Sequence, residues 1–150
     1  MEQPIYVTER LSLLHSARLP IVLTNGNDGR NKRWFSSAKI RTQIEYMLRL
    51  GGHVRAKPFA EPIVLRITRV LARAQKLWDS DSIGRGSAKE LVDSLVACNW
   101  FRDDSAAYIT ETRFAQFVPK VREKKGSTIV EVLRVEQIQG AINDIDTGRS

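Results

Sequence analysis

EPIVLRITRVLARAQKLW, Glu61 to Trp78, decides the fold class and reads two ways. Ile63, Leu65 and Ile67 alternate after Pro62, as in a β-rich strand. Ile63, Ile67, Val70, Ala74 and Leu77 instead recur at helical spacing, with Arg66, Arg69, Arg73 and Lys76 on the opposite face. The residues alone leave 63–78 as strand or helix.

Working upstream, AKIRTQIEYMLRLGG carries Ile40, Ile44, Met47 and Leu48 at helical spacing, with Ser36 and Ser37 available as caps and Gly51 and Gly52 as a stop. Before it, LPIVLTNGNDGRNKRWFSS predicts a strand followed by a loop, because Asn25 to Gly29 are all residues that tolerate turn geometry. The segment ahead of Pro20 predicts a short strand or extended arm.

Working downstream, SAKELVDSLVACNW predicts a second helix with Ser87 as N-cap, Glu90 in capping-box position and an apolar stripe of Leu91, Val92, Leu95 and Val96. After a turn at Asp103 and Asp104, AAYITETRFAQFV predicts a strand, KVREKKG a basic hairpin connection and STIVEVLRV another strand. Residues 136–150 read as a short helical or frayed tail. The expected fold is α+β: one domain over 1–150, core at 20–135, with a small mixed or antiparallel sheet and two main helices packed on one face.

At 150 residues, 42% hydrophobic and 27% charged, the composition is that of a globular domain. Apolar runs such as PIVL fall far short of the roughly 20 residues that span a bilayer, and MEQPIYVTER has no apolar region after a basic start. A cytoplasmic protein with no membrane partner is expected. Cys98 is the single cysteine, and His15 and His53 stand in no zinc spacing with it, so any metal would take oxygen ligands.

The formal charge of +7 favours an anionic partner, and its distribution says more than its size. Twelve Lys or Arg between Arg30 and Lys76 face only Glu45 and Glu61, which suits phosphate contact. Arg30, Lys32 and Arg33 run into Trp34 and Phe35, a basic and aromatic pairing able to grip a backbone and stack on exposed bases. From Leu77 to Glu111 the balance reverses, with seven acids against Arg85, Lys89 and Arg102. Carboxylates beside a phosphate-binding surface are what a metal-dependent nuclease requires.

Three readings compete for DSDSIGRGSAKELVDSL, Asp79 to Leu95. A calcium loop would use Asp79, Asp81, Gly84 and Glu90 at positions one, three, six and twelve, but position five is Ile83, which offers no side-chain oxygen. Arg85 and Lys89 would also repel the cation. A plain turn capping a helix explains Ser80, Ser82 and Ser87 but not the acids recurring at Asp103 and Asp104. In the third reading, clustered aspartates hold magnesium and an ammonium stabilises the phosphoryl transition state.

DSD, then KELVDSL, then WFRDDSA resembles the RusA-type Holliday junction resolvases, whose pattern runs Asp-x-Asp-Asn, Lys-x-x-x-Asp-x-Leu and an Asp-Asp pair after an apolar turn. The resemblance covers residues 20–135 and is concentrated in 79–104. It implies Asp79, Asp81 and Asp104 as metal-binding aspartates, Lys89 as the catalytic lysine, and Asp93 and Asp103 as supporting residues. It implies magnesium as cofactor, with manganese able to replace it, and a RusA-like homodimer that nicks opposing strands of a four-way DNA junction. Arg30, Lys32, Arg33, Trp34, Lys39, Arg41 and Arg85 would then contact DNA. Two departures stand out: Ser82 replaces the family's Asn, and SIGRG is inserted between Asp81 and Lys89. The competing class is a junction-binding protein of the same fold without cleavage.

Overall fold

A computed structural model describes residues 5–24, 37–79 and 82–141. The chain runs β1 (Ile5–Leu19), α1 (Ser37–Leu50), β2 (Ile63–Val70), α2 (Ser82–Arg85), α3 (Ala88–Ala97), β3 (Ile109–Phe117) and β4 (Ser127–Ala141). The four strands form one mixed sheet in the order β1-β4-β2-β3. The fold is α+β, as expected, and the two longer helices share a core with one face of the sheet.

The ambiguous segment is a strand over Ile63–Val70, and its place explains the choice. β2 lies between β4, antiparallel, and β3, parallel, so its backbone groups pair on both sides. Ile63, Leu65 and Ile67 point into the core beneath the helices, while Val64 and Val70 are buried on the other face. A strand buried on both faces reads as a nearly continuous apolar run, which also satisfies helical spacing.

Three other expectations are corrected. The first strand is not confined to a short arm: it runs from Ile5 to Leu19, and a register shift between Leu13 and His15 breaks its alternation. KVREKKG is not a hairpin, because β3 and β4 do not pair; residues 118–126 carry the chain past β2 from one side to the other. Residues 136–141 are neither helical nor frayed. They extend β4, pairing Glu136 to Ala141 with Arg10 to Ile5.

Beyond that register shift the β1–β4 ribbon reaches past the end of β2, and an ion pair shows where it goes. Arg113 on β3 contacts Glu9 on β1 at 2.6 Å, although β4 and β2 separate those strands in the sheet. The ribbon therefore curls over the helix-free face, as expected where a bulge increases twist. Arg113 also pairs with Glu111, and these two carboxylates, Glu111 foremost, raise its pKa. Arg66 joins Glu131 on the same face through two bonds of 3.0 Å, so this arginine is committed to a carboxylate and not to phosphate.

α1 and α3 lie side by side in parallel. Ser37 Oγ donates to Glu90 Oε1 near their N-termini, Ser94 Oγ donates to the Arg41 carbonyl, and Arg49 reaches the Ala97 carbonyl near their C-termini. Glu90 is thus bound to the neighbouring helix and does not close a capping box. Ser87 makes no side-chain cap either; its Oγ accepts the Thr24 N–H at 2.8 Å, tying the extended stretch after β1 to the start of α3.

Both helices end in the same way. Gly52, at φ +75°, donates to the Arg49 carbonyl while His53 donates to Leu48; Asn99, at φ 67°, donates to Val96 while Trp100 donates to Leu95. These are paired Schellman closures, which need a left-handed residue at the turn. Gly52→Ala is expected to lower stability by about 1 kcal/mol, and Gly52→Asn by less, because Asn tolerates that conformation. Urea unfolding measures both; an unchanged midpoint for the alanine variant contradicts the assigned closure.

Candidate functional site

Parallel neighbours cannot be joined by a tight turn, so the chain from β2 to β3 must cross the sheet. That crossover, residues 71–108, contains nearly every acidic residue singled out in the sequence. It leaves β2 through Leu71 and Ala72, both buried, turns at residues 73–74, where Gln75 N–H donates to the Ala72 carbonyl, and reaches Trp78. No helix enters at Asp79, so the calcium-loop geometry is not formed.

Asp79 is held in place through its neighbour. Gln116 on β3 accepts the Trp78 N–H at its Oε1 and donates its Nε2 to the Trp78 carbonyl, each at 2.9 Å. Arg69 lies over the Trp78 ring at 3.6 Å and donates Nη1 to Gln116 Oε1 and to the Lys76 carbonyl. Only 3% of Arg69 is exposed, its Nε has no partner among the described residues, and burial lowers its pKa. Counted in the sequence among the phosphate-facing cations, this residue is instead a buried prop for the segment entering the site. The strand alternation Ile63, Leu65, Ile67, Arg69 was the signal that could have found it.

Ser82–Arg85 form the single helical turn α2, whose Ser82 N–H donates to the Asp79 carbonyl. Gly84 lies so near Phe114 that a Cβ there would sit 3.0 Å from the ring, and Ser82 is fully buried. α3 then starts at Ala88 and displays Lys89 outward, because Ala88 and Leu91 take the core side.

Lys89, near the start of α3, and Asp104, beyond its end, line one cavity of about 230 Å³. Its walls come from Gly84, Ala88 and Val92 on the helical side and from Ile109, Thr112 and Phe114 on β3. Both charged residues are exposed, and neither pairs with a described opposite charge. An ammonium and a carboxylate thus face the same solvent-filled space above an apolar wall.

The remaining predicted residues divide clearly. Asp79 is exposed just upstream of α2 and does not line the cavity. Asp103 is structural: its Oδ1 accepts the Ser105 N–H at 2.7 Å, and bonds from Ser105 lower its pKa. Asp93 is half-buried on α3 and forms no ion pair with Lys89. Lys39 and Arg41 are exposed on α1. Asp81, Arg30, Lys32, Arg33 and Trp34 lie outside the described residues, as does the side chain of Arg85, whose backbone belongs to α2.

Among the described residues no three His, Cys, Asp or Glu side chains gather at one point, and no helix is long and apolar enough to cross a membrane. Asp104 is the one carboxylate among the lining residues and Thr112 adds a hydroxyl, so the described lining offers a hard cation that keeps several of its waters a single carboxylate ligand. Compared with known proteins, the chain matches no family model and no curated relative.

Gln116→Leu should remove one of the two bonds of the buried Arg69 Nη1 and strand both backbone groups of Trp78. A stability loss on the order of 2 kcal/mol is expected, since each orphaned polar group costs about 1–3 kcal/mol, together with a red-shifted Trp fluorescence. Denaturant unfolding and emission spectra test this, and wild-type values in both would rule out the prop.

Proposed function

We propose that this chain is a magnesium-dependent, structure-selective endodeoxyribonuclease of the RusA type, acting as a homodimer on four-way DNA junctions. The observation that carries the reading is the shared cavity of Lys89 and Asp104: the two residues matched to the catalytic lysine and a metal-binding aspartate line one space between α3 and β3. The residue matched to a supporting role, Asp103, is occupied in its own turn.

Asp104 would hold the ion from the cavity wall, and the resemblance adds Asp79, which lies outside that lining, and Asp81 as further ligands. When bound, magnesium polarises a phosphoryl oxygen and makes a coordinated water more acidic. The chain's own contribution is positional. Lys89 presents an ammonium toward the place where negative charge grows, and an apolar wall of Val92, Ile109 and Phe114 limits the water that would screen it. The prop of Arg69, Gln116 and Trp78 keeps Asp79 beside the edge strand.

Phosphate contacts outside the site would come from exposed cations of α1, Lys39 and Arg41, and from the loop residues Arg30, Lys32, Arg33 and Trp34. A two-fold assembly suits a junction that is itself two-fold. Arg66 and Arg69 are withdrawn from this interface by Glu131 and by burial.

Lys89→Ala, Asp104→Asn and the double variant Asp79→Asn, Asp81→Asn should each cut a four-way junction about a hundredfold more slowly or not at all. Junction binding in a gel-shift assay should persist, and tighten where aspartate charge is removed. Cutting at the wild-type rate in these variants would overturn the assignment of the site.

A further inference from the structure

On the opposite side of the helix layer, the two Schellman closures bring the ends of α1 and α3 together. The loop leaving α1 is pinned to the loop leaving α3. Arg55 N–H donates to the Cys98 carbonyl, Asn99 Nδ2 to the Arg55 carbonyl, and Trp100 Nε1 to the His53 carbonyl at 2.6 Å. His15, the first residue after the register shift in β1, faces this loop edge-on to Trp100, with ring centroids 4.9 Å apart.

Between them lies a cavity of about 480 Å³, lined by His15, His53, Arg55, Lys57 and Trp100 together with the Gly52–Ala56 backbone. Every titratable side chain in that lining is basic, and no described carboxylate pairs with any of them. Arg55 is held rather than loose: its guanidinium stacks on Phe59 at 3.7 Å and its Nε donates to the Lys57 carbonyl. Its terminal nitrogens donate to no described residue. Burial foremost, and then the charge of Arg55 and His53, lower the pKa of His15.

Basic residues at helix C-termini usually serve to offset the helix dipole. Here the last carbonyls are already taken: Leu48, Arg49, Leu95 and Val96 accept backbone N–H groups of the closures, and Cys98 accepts Arg55 N–H. The side chains of His15, His53 and Lys57 donate to none of them. A fork-shaped guanidinium, an ammonium and two imidazoles around one space are the donor set for a compact, multiply charged oxyanion.

We propose that this cavity binds a phosphate monoester, of the size of a mononucleotide or the phosphorylated end of a strand. The volume falls within the range of small-molecule sites. The site is separate from the Lys89 and Asp104 cavity, sharing no lining residue with it, and it does not depend on the nuclease reading.

The test follows the ring nitrogens of His15 and His53 by NMR in the full chain, titrated with inorganic phosphate, deoxyadenosine 5′-monophosphate and deoxyadenosine. Both imidazoles should shift saturably with the two phosphate-bearing probes, at a Kd in the millimolar range or tighter, and not with the nucleoside. Equal affinity for the two probes identifies the phosphate group alone as the ligand; tighter binding of the mononucleotide identifies a nucleotide. Lys57→Ala, at an exposed position with no packing role, and Arg55→Gln should each weaken binding about tenfold, as expected for loss of a charge-assisted hydrogen bond. Lys89→Ala should leave it unchanged. Absence of saturable shifts with either phosphate probe, or shifts that survive both the Lys57 and Arg55 variants, would overturn the proposal.

Discussion

The parallel pairing of β2 with β3 is the constraint on which the rest of the structure depends. Parallel neighbours require a long crossover, and in this chain the crossover is the candidate site: Asp79, α2, α3 with Lys89, and the turn at Asp104 all belong to it. Packing α3 on the sheet buries Ala88, Leu91 and Leu95, which fixes the outward direction of Lys89. The return to β3 then brings Asp104 into the lining of the same cavity as that lysine. The chemistry is therefore assembled by topology, from residues that no local element could bring together.

Charge is distributed over this frame in two distinct ways. On the helix-free face, Arg66, Arg113, Glu9, Glu111 and Glu131 neutralise one another and hold the β1–β4 ribbon against the sheet. Such partly exposed pairs are individually weak, about 0–1 kcal/mol each, and they matter here mainly as markers of where the ribbon lies. On the helix side the cations around His15 and His53 have no carboxylate partners among the described residues. An excess of positive charge in the sequence is thus partly internal pairing and partly surface available to a ligand, and only the fold separates the two.

Much of the architecture was legible because it is local. The periodicity of Ile40, Ile44 and Leu48 and of Leu91 and Leu95 marked both long helices, and Gly51 and Gly52 marked the first stop. What was illegible is non-local. β3 and β4 are neighbours in sequence but are parted by β2, so alternation followed by a basic turn suggested a hairpin that the sheet order forbids. The bulge in β1 shifts its inward face from one parity to the other, which hid a fifteen-residue strand. Within the site, the residue pattern pointed to Lys89 and Asp104, whereas the buried Arg69 and the cavity built from residues 15, 53–57 and 100 depend on contacts across the chain that spacing does not encode.

In the proposed function the crossover forms a metal-dependent site for cutting branched DNA. The most direct measurement incubates the purified full chain with a labelled, immobile four-way junction and with the matching linear duplex, in magnesium, calcium or chelator. Paired nicks in the junction alone, in magnesium alone, are the predicted result. Tight junction binding without nicks in any metal, or equal cutting of the linear duplex, would contradict it.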